Sequence, residues 1–526
     1  MVNKLRCIPA VRIPESSRYA MAAVLTGLGT ASGIWIYKGL IRVFHRLAFS
    51  FVPTAGPGRW LICLPPVLGG ALVGWLSQRF LGQESLHGVT GIIESVARRQ
   101  GELAYRKTPV KALASAISIG SGASVGPEDP SVQVGANLAS FLARLLALTG
   151  EQRRLLVTAG AAAGIAAAFN APVASVFFAA EILLGEISSG SLGVVVLAAV
   201  SSAALTQAIS GVQPAFLIPS YSFRSLAELP FYFGLGLLTG PVSAIYVRLL
   251  YLLRHRFAGL RIPLWLKTML AGTIVGISGI FLPQILGTGY DTIEDVLQGA
   301  TLSLAFLLVL MLTKLVLTPL SLGGGFVGGM FAPALFIGAM LGAAYGQLIH
   351  LLFPGWSVSP PAFALVSMAA MLAGAIHAPM TAILLLFEMT RDYHIILPLM
   401  FAVVVSLFLS RRLERHSAYT LGLVQAGLRL DHIRLQRALL GGVELEGISV
   451  EAGAACAGKP VRALPWPRAA LIVALRRERR TIIPRGTTRI RPGDLLIFIA
   501  EAEAREQVYA LCRQAGDSPP LNARHG

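Results

Sequence analysis

Long apolar runs recur along most of this chain and are separated by short polar or basic segments. The runs of spanning length lie near 19–40, 59–80, 154–184, 190–210, 228–253, 264–286, 301–320, 330–353, 361–388 and 394–410. About 20 apolar residues are enough for a helix to cross the hydrocarbon core of a membrane. The pattern therefore predicts an all-α polytopic membrane protein over residues 19–425.

Two segments, 112–148 and 322–346, are apolar but are punctuated by glycine and proline. Backbone groups that such breaks set free are tolerated at membrane depth only where protein or a water-filled cavity surrounds them. We therefore expect broken or re-entrant helices in both segments. Helices of this kind usually line a transport pathway.

Composition excludes a water-soluble globular protein, because 55% of the 526 residues are hydrophobic and only 13% are charged. The net charge of +18 comes mostly from a basic tail and from the flanks of the apolar part, Lys4, Arg6, Arg12, Arg18, Arg411, Arg412 and Arg415. Basic flanks favour the cytoplasmic side. The pattern predicts residues 1–18 and the tail in the cytoplasm, an inner-membrane location and no nucleic-acid partner.

Nothing in the sequence indicates an enzyme. The cysteines at positions 7, 63, 456 and 512 are scattered, and no histidine lies at metal-ligand spacing. No nucleophile with a base and no cofactor motif accompanies the acids of the apolar part. We therefore expect no metal site, no cofactor, no disulfide framework and no catalytic activity.

The apolar part repeats itself at an offset just above two hundred residues. Asn170, Ala171, Pro172 and Glu181 match residues shifted by 207, namely His377, Ala378, Pro379 and Glu388. Pro130, Gly135 and Ala136 match residues shifted by 203, namely Pro333, Gly338 and Ala339. Internal repeats with interrupted helices in matching places are typical of secondary transporters and channels. The chain is therefore predicted to contain two repeats, about 19–211 and 228–425.

Two carboxylates, Glu128 and Asp129, lie within the glycine-rich stretch GSGASVGPEDPSVQVGA. Pro130 suits a first helical residue, and the apolar residues after it keep helical spacing, so Glu128 is expected at a helix N-terminus. The unpaired amides and the dipole there attract anions, and a carboxylate can fill such a site itself. The alternative is an ordinary helix cap at a membrane surface.

These features resemble the CLC family of chloride channels and chloride/proton exchangers over roughly residues 20–425. The similarity rests on LHGVTGIIES at 86–95, GPEDP at 126–130, GMFAP at 329–333, SAYTLGL at 417–423 and AGAAAGIAAAFNAP at 159–172. The resemblance implies a homodimer of all-helical subunits, each built from two inverted halves and each with its own pathway through the lipid bilayer. It implies that Glu128 is a gating and proton-binding glutamate. It also implies anion binding by His87, Gly88, Met330, Phe331 and Tyr419.

The sequence also departs from the family pattern. Ile182 occupies the position where exchangers carry an inner glutamate, and isoleucine cannot carry a proton, so channel and proton-coupled exchanger both stay open. His87 replaces the selectivity serine, which leaves fluoride or nitrate as alternatives to chloride. His87 itself either donates to an anion or caps and packs a helix. Glu181 and Glu388 are interpreted as helix-end carboxylates paired with basic residues such as Arg391.

From near residue 432 the composition becomes that of a small soluble domain, with strand-like runs ELEGISV, AALIVAL, RTIIP and LLIFIA. Residues 443–515 resemble the TrkA-C domain, after a linker at 426–442 and before a tail at 516–526. The resemblance implies an α+β regulatory domain that binds a small ligand or pairs with the partner subunit, and a stability module is the alternative. Arginines 476, 477, 479 and 480 either bind an anion or lipid, or form a solvated face.

Overall fold

The computed structural model describes residues 15–52, 58–82, 88–185, 189–211, 216, 226–354, 359–428, 444–477, 480–500 and 502–512. The chain divides into two compact units, Met1–Leu430 and Asp431–Gly526. The first unit is helical throughout its described part, and the second contains a small sheet.

The described residues of the first half of the helical unit contain eight α-helices. They are α1 Glu15–Phe49, α2 Leu64–Leu76, α3 Gly88–Arg98, α4 Thr108–Gly120, α5 Glu128–Leu145, α6 Gly150–Phe169, α7 Pro172–Phe178 and α8 Ser189–Ser210. Short 3-10 turns occur at Arg59–Cys63 and Tyr105–Lys107, and π-helical turns at Ser77–Leu81 and Ala179–Leu184. The predicted break in 112–148 is confirmed, since it falls between α4 and α5.

The second half repeats this arrangement. Its helices are α9 Leu229–Gly259, α10 Leu264–Phe281, α11 Tyr290–Leu297, α12 Leu304–Gly324, α13 Phe331–Leu352, α14 Pro360–Ile376, α15 Pro379–Thr390, α16 Ile396–Leu413 and α17 Thr420–Gln425, with 3-10 turns at Leu226–Glu228 and Pro283–Ile285. The predicted break in 322–346 falls between α12 and α13. Within the described residues, 8 helices are long and apolar enough to cross a membrane. The prediction of a polytopic membrane protein is confirmed.

Two apolar runs that we predicted as continuous spans are each divided into two helices. The run 154–184 breaks between α6 and α7, where Asn170 adopts a left-handed conformation with a φ of 54°. The run 361–388 breaks in the same way between α14 and α15, where His377 has a φ of 59°. Pro172 and Pro379 then begin the following helices, because proline is tolerated at a first helical position but not within a helix.

The two halves pack as inverted copies of each other. Helix α5 packs on α6 as α13 packs on α14, and α1 packs on α8 as α9 packs on α16. At the centre, the Gly126 amide donates to the Gly329 carbonyl at 2.8 Å, and the Gly329 amide donates back at 2.7 Å. This antiparallel bridge joins equivalent loops of the two halves, which lie 203 residues apart. The prediction of two inverted repeats with broken helices is confirmed.

Within its described residues, the second unit is an antiparallel sheet with one covering helix. Its strands are β1 Glu444–Ser449, β2 Ala470–Arg477, β3 Arg480–Ile482 and β4 Leu495–Ala500, in the order β1-β4-β2-β3, and the helix is α18 Ala502–Cys512. All four strands lie where the sequence predicted strand-like runs. The Sγ atoms of Cys456 and Cys512 lie 3.7 Å apart in its core as free thiols.

Arg477 belongs to the structure of this domain. Its Nε and Nη2 atoms each donate to the Asp494 carboxylate at 2.8 Å. Asp494 is almost fully buried, and its Oδ2 also accepts the Arg491 amide at 2.8 Å. The interpretation of Arg477 as a side chain presented to a ligand or to solvent is therefore wrong. It orders the turn that precedes β4.

Candidate functional site

Glu128 begins α5 and lies completely buried between the two halves. Its Oε1 atom accepts a hydrogen bond from the amide of Phe331, the first residue of α13. The N-termini of α5 and α13 therefore converge on one carboxylate. Each helix end carries unpaired amides and a partial positive charge, so this is a place where an anion is stabilised. The predicted helix N-terminus at Glu128 is confirmed.

The helix begins slightly earlier than expected. Pro130 is the third residue of α5 rather than the first, and Pro127 is the N-cap. Proline is accepted there because the first four amides of a helix have no partner within it. The shift places both Glu128 and Asp129 in the first turn.

Gly126 and Gly329 form a cradle around the Glu128 carboxylate, and we refer to this pair as the glycine cradle. A β-carbon on either residue would collide with the carboxylate oxygens. Only glycine lets the backbone come this close to a ligand or a side chain. The same two glycines form the bridge between the halves, so the carboxylate lies beside the point where the equivalent loops meet.

Aromatic residues enclose Glu128. The ring centroid of Phe331 lies 6.0 Å from that of Phe178 and 6.2 Å from that of Tyr419. The hydroxyl of Tyr246 donates to the Met330 carbonyl at 3.2 Å. Tyr419 and Tyr246 both lie close enough to Glu128 for an electrostatic interaction. Two tyrosines therefore lie near the carboxylate within an otherwise apolar shell.

A cavity of about 640 Å³ opens beside this shell. Its wall includes Asp129 and three of the predicted anion-binding residues, Gly88, Met330 and Tyr419. Three cationic side chains also line it: Lys111 near the start of α4, Arg254 near the end of α9 and Lys267 near the start of α10. A water-accessible space with this charge concentrates anions.

The structure brings together most of the predicted site residues. Glu128 and Phe331 are in direct contact, and Met330 and Tyr419 lie on the cavity wall. Gly88 begins α3 with a φ of 68° on the same wall. His87 lies outside the described residues. The sequence alone did not associate Lys111, Arg254 or Lys267 with the site, because they lie on separate helices and have no shared motif.

Ile182 does not line this cavity. It lies in the π-helical turn Ala179–Leu184 and is buried among apolar side chains. Its neighbour Glu181 accepts hydrogen bonds from the amides of Met380 at 3.0 Å and Thr381 at 2.8 Å, and from the Thr381 hydroxyl at 2.7 Å. Glu181 therefore caps the N-terminus of α15.

Glu388 makes the equivalent contact in the opposite direction. Its carboxylate accepts hydrogen bonds from the amides of Val173 at 2.9 Å and Ala174 at 2.7 Å, at the N-terminus of α7. We expected basic partners for both acids, and Arg391 is close enough to Glu388 for an electrostatic interaction. The hydrogen bonds instead come from backbone amides of the other half, because two antiparallel helices place each C-terminal carboxylate beside the N-terminus of its neighbour.

Two inverted halves, with broken helices whose N-termini meet at one buried carboxylate beside a basic cavity, define an inverted-repeat membrane transport protein. The family model for the voltage gated chloride channel matches residues 69–411, and the TrkA-C domain model matches residues 445–513. The chain belongs to the voltage gated chloride channel (CLC) family and carries a TrkA-C domain.

Individual relatives agree with this family. A ClcB-like chloride channel protein of Ralstonia nicotianae is 37% identical over 72% of this chain and 88% of its own length. The H(+)/Cl(-) exchange transporter ClcA of Vibrio campbellii is 30% identical over 83% of this chain and 98% of its own. The crystal structure of a slow cyanobacterial Cl−/H+ antiporter matches with a TM-score of 0.71 and 27% identity, over 78% of this chain and 98% of that one.

Proposed function

We propose that this protein transports chloride across the membrane through a pathway that Glu128 gates. The main support for this function is the position of the Glu128 carboxylate, which accepts a hydrogen bond from the Phe331 amide at the N-terminus of α13. The carboxylate oxygen occupies the position in which a halide would accept a hydrogen bond from the same amide. While the carboxylate is ionised and bound, an anion has no access to that amide.

Helix ends suit a transported anion because they replace part of its lost hydration without a full positive charge. A halide entering low dielectric needs such donors, and one bound by a buried lysine or arginine would leave slowly. Amides of Met330 and Phe331, the Tyr419 hydroxyl and the backbone at His87 and Gly88 are the proposed ligands. Protonation of Glu128 removes its charge and weakens its hold on the helix ends, which opens the route.

The proposed orientation places both termini in the cytoplasm and the chain in the inner membrane. Basic residues support it, because Arg254, Arg256 and Arg261 surround the connection between α9 and α10, and Arg411 and Arg412 end α16. The cavity lined by Lys111, Arg254 and Lys267 then faces the cytoplasm. We propose a homodimer with one pathway in each subunit and a small ligand for the TrkA-C domain.

Chloride efflux from liposomes containing the purified protein tests this function. Efflux above that of empty liposomes is expected, and fluoride and nitrate are measured in parallel because His87 replaces the family serine. Faster efflux of fluoride or nitrate than of chloride would reassign the substrate. No efflux of any of the three anions would show a protein without a working pathway.

A further inference from the structure

Asp129, the residue after Glu128, occupies a second helix N-terminus. Its Oδ1 atom accepts a hydrogen bond of 2.8 Å from the Val89 amide in the first turn of α3. Gly88, the first residue of α3, has a positive φ, and a β-carbon there would collide with the Asp129 carboxylate. The start of α3 is therefore shaped around this carboxylate, as the glycine cradle is shaped around Glu128.

The two acids point to different helices because they are consecutive in one helical turn. Successive side chains of an α-helix are rotated by roughly 100°. Glu128 consequently contacts the N-terminus of α13, and Asp129 contacts that of α3. The second half has no equivalent acid, since the residue shifted by 203 from Asp129 is Ala332. Asp129 therefore has no acidic counterpart in the second half.

Asp129, unlike Glu128, lies on the described wall of the 640 Å³ cavity. Lys111 and Arg254 are close enough to interact electrostatically with it. The charged or titratable groups facing it from the surrounding elements are Tyr37 of α1, Lys111 of α4, Tyr251 and Arg254 of α9, Lys267 of α10 and Tyr419 before α17, with Glu128 in its own helix. An anion gathered by these cations meets the Asp129 carboxylate at the cavity wall.

We propose that Asp129 is a second gate carboxylate, which competes with the transported anion for the Val89 amide at the cavity end of the pathway. This proposal rests on the transport function proposed above. An amide donor that binds a carboxylate also binds a halide, and it cannot bind both. The ionised carboxylate blocks the Val89 amide. The protonated, neutral form binds this amide less strongly, so that an anion can replace it.

Calorimetric titration of chloride into the purified full-length protein tests the competition. The measurements use the Glu128→Gln background, so that Asp129 is the remaining gate acid. Asp129→Ala removes the competitor, and Asp129→Asn keeps the size and one acceptor oxygen but removes the charge. Chloride affinity should rise about tenfold in Asp129→Ala and less in Asp129→Asn, because the anion no longer displaces a charged hydrogen-bond partner.

The pH dependence of the same titration supplies an independent readout. In Glu128→Gln alone, chloride affinity should rise as the pH falls, and both Asp129 variants should lose this dependence. Glu94→Gln is the matched control, because it removes a carboxylate from α3 that contacts Arg99 instead of the Val89 amide. It should change neither the affinity nor its pH dependence.

Unchanged affinity in both Asp129 variants overturns the proposal, as does an equal gain in Glu94→Gln. Absence of chloride binding in every variant overturns it as well. Size-exclusion profiles identify a misfolded variant, and alanine at position 129 has the best helix propensity and is the safer of the two substitutions. If wild-type liposomes show no efflux, the transport function fails, yet calorimetry still decides whether chloride and Asp129 compete.

Discussion

At the scale of single residues, the two oxygens of the Glu128 carboxylate have different surroundings. Oε1 accepts the Phe331 amide, whereas Oε2 is buried and has no hydrogen-bond partner among the described residues. Leaving a charged oxygen buried without a donor costs free energy, and a proton removes the charge that causes this cost. Proton binding is therefore the event that we expect to move this side chain.

The first prediction concerns Glu128→Gln. In the wild type, chloride efflux should rise as the pH falls, because protonation releases the carboxylate from the helix ends. The glutamine is neutral at every pH, so the variant should show higher efflux than the wild type and a much weaker pH dependence, of which only the part caused by Asp129 remains. Glu94→Gln serves as the control and should keep the wild-type profile. A wild-type pH profile in Glu128→Gln would contradict the gate assignment.

The second prediction concerns the hydroxyl of Tyr419. Tyr419→Phe keeps the ring against Phe331 and removes only the donor to a bound anion. Chloride affinity in calorimetry should fall by roughly three- to tenfold, the range for one hydrogen bond. Tyr345→Phe is the control, because its hydroxyl donates to the Phe231 carbonyl at 2.9 Å instead of lining the cavity. Equal losses in both variants would refute a specific role for Tyr419.

At the scale of elements, α7 and α15 cap each other. Glu181, beside the C-terminal end of α7, binds the first amides of α15, and Glu388, near the end of α15, binds those of α7. Both carboxylates gain charge-assisted hydrogen bonds and the favourable end of a helix dipole. The pair therefore joins the two halves, which gives Glu181 a structural role beside the apolar Ile182.

The third prediction is that Glu181→Gln destabilises the protein without changing gating. Loss of the charge at the α15 N-terminus should lower the free energy of unfolding by about 1 kcal/mol, seen as a lower thermal unfolding temperature. The pH profile of chloride efflux should stay as in the wild type. Unchanged stability together with an altered pH profile would instead identify Glu181 as a proton carrier.

At the scale of the whole molecule, the proposed pathway contains two carboxylates, Glu128 and Asp129, but an apolar residue at the position where exchangers of the family carry an inner glutamate. Ile182 supplies neither charge nor hydrogen bonds, and Glu181 beside it is engaged with the amides of α15. A proton from the cytoplasm would need a route that avoids both residues. This arrangement favours a channel or a weakly coupled exchanger.

The fourth prediction follows from that arrangement. In liposomes with a chloride gradient, the voltage at which flux stops should lie at the chloride potential and change little when a pH gradient is added. A coupled exchanger would instead shift with the pH gradient. A clear shift in the wild type that Glu128→Gln abolishes would show that Ile182 does not prevent coupling.

The fifth prediction concerns the TrkA-C domain. The Arg477 guanidinium holds the pKa of Asp494 below its usual range. Asp494 therefore stabilises the domain above the ordinary aspartate pKa of about 3.9, and this contribution is lost as the pH falls through the lowered value. In the fragment Asp431–Gly526, Asp494→Asn should lower the free energy of unfolding by about 2 kcal/mol at neutral pH.

The loss in Asp494→Asn should shrink at acid pH, where the wild-type carboxylate is itself protonated. Urea unfolding at neutral and acid pH measures both effects. Glu506→Gln, at an exposed position of α18, should change the stability little at either pH. A loss in Asp494→Asn that is the same at both pH values would exclude the ion pair as its cause.

Sequence patterns were sufficient wherever local physics determines the outcome. Apolar length predicted the spans, and glycine and proline predicted the breaks before Glu128 and before Phe331. Strand-like runs separated by turn residues predicted the four strands. The repeat spacing predicted the two halves, and the family resemblance implied that they are inverted. The breaks at Asn170 and His377 were missed, because hydropathy does not register a single left-handed residue within an apolar run.

The amino-acid sequence by itself determined the membrane class, the repeat and the acid at a helix N-terminus, since these depend on composition and on residues close together in the chain. Only the tertiary structure decided which groups meet. It brought Phe331 to Glu128, Val89 to Asp129, and Lys111 and Arg254 to one cavity. These partners lie on different helices, so their contacts arise from packing of the two halves, and no local pattern encodes them.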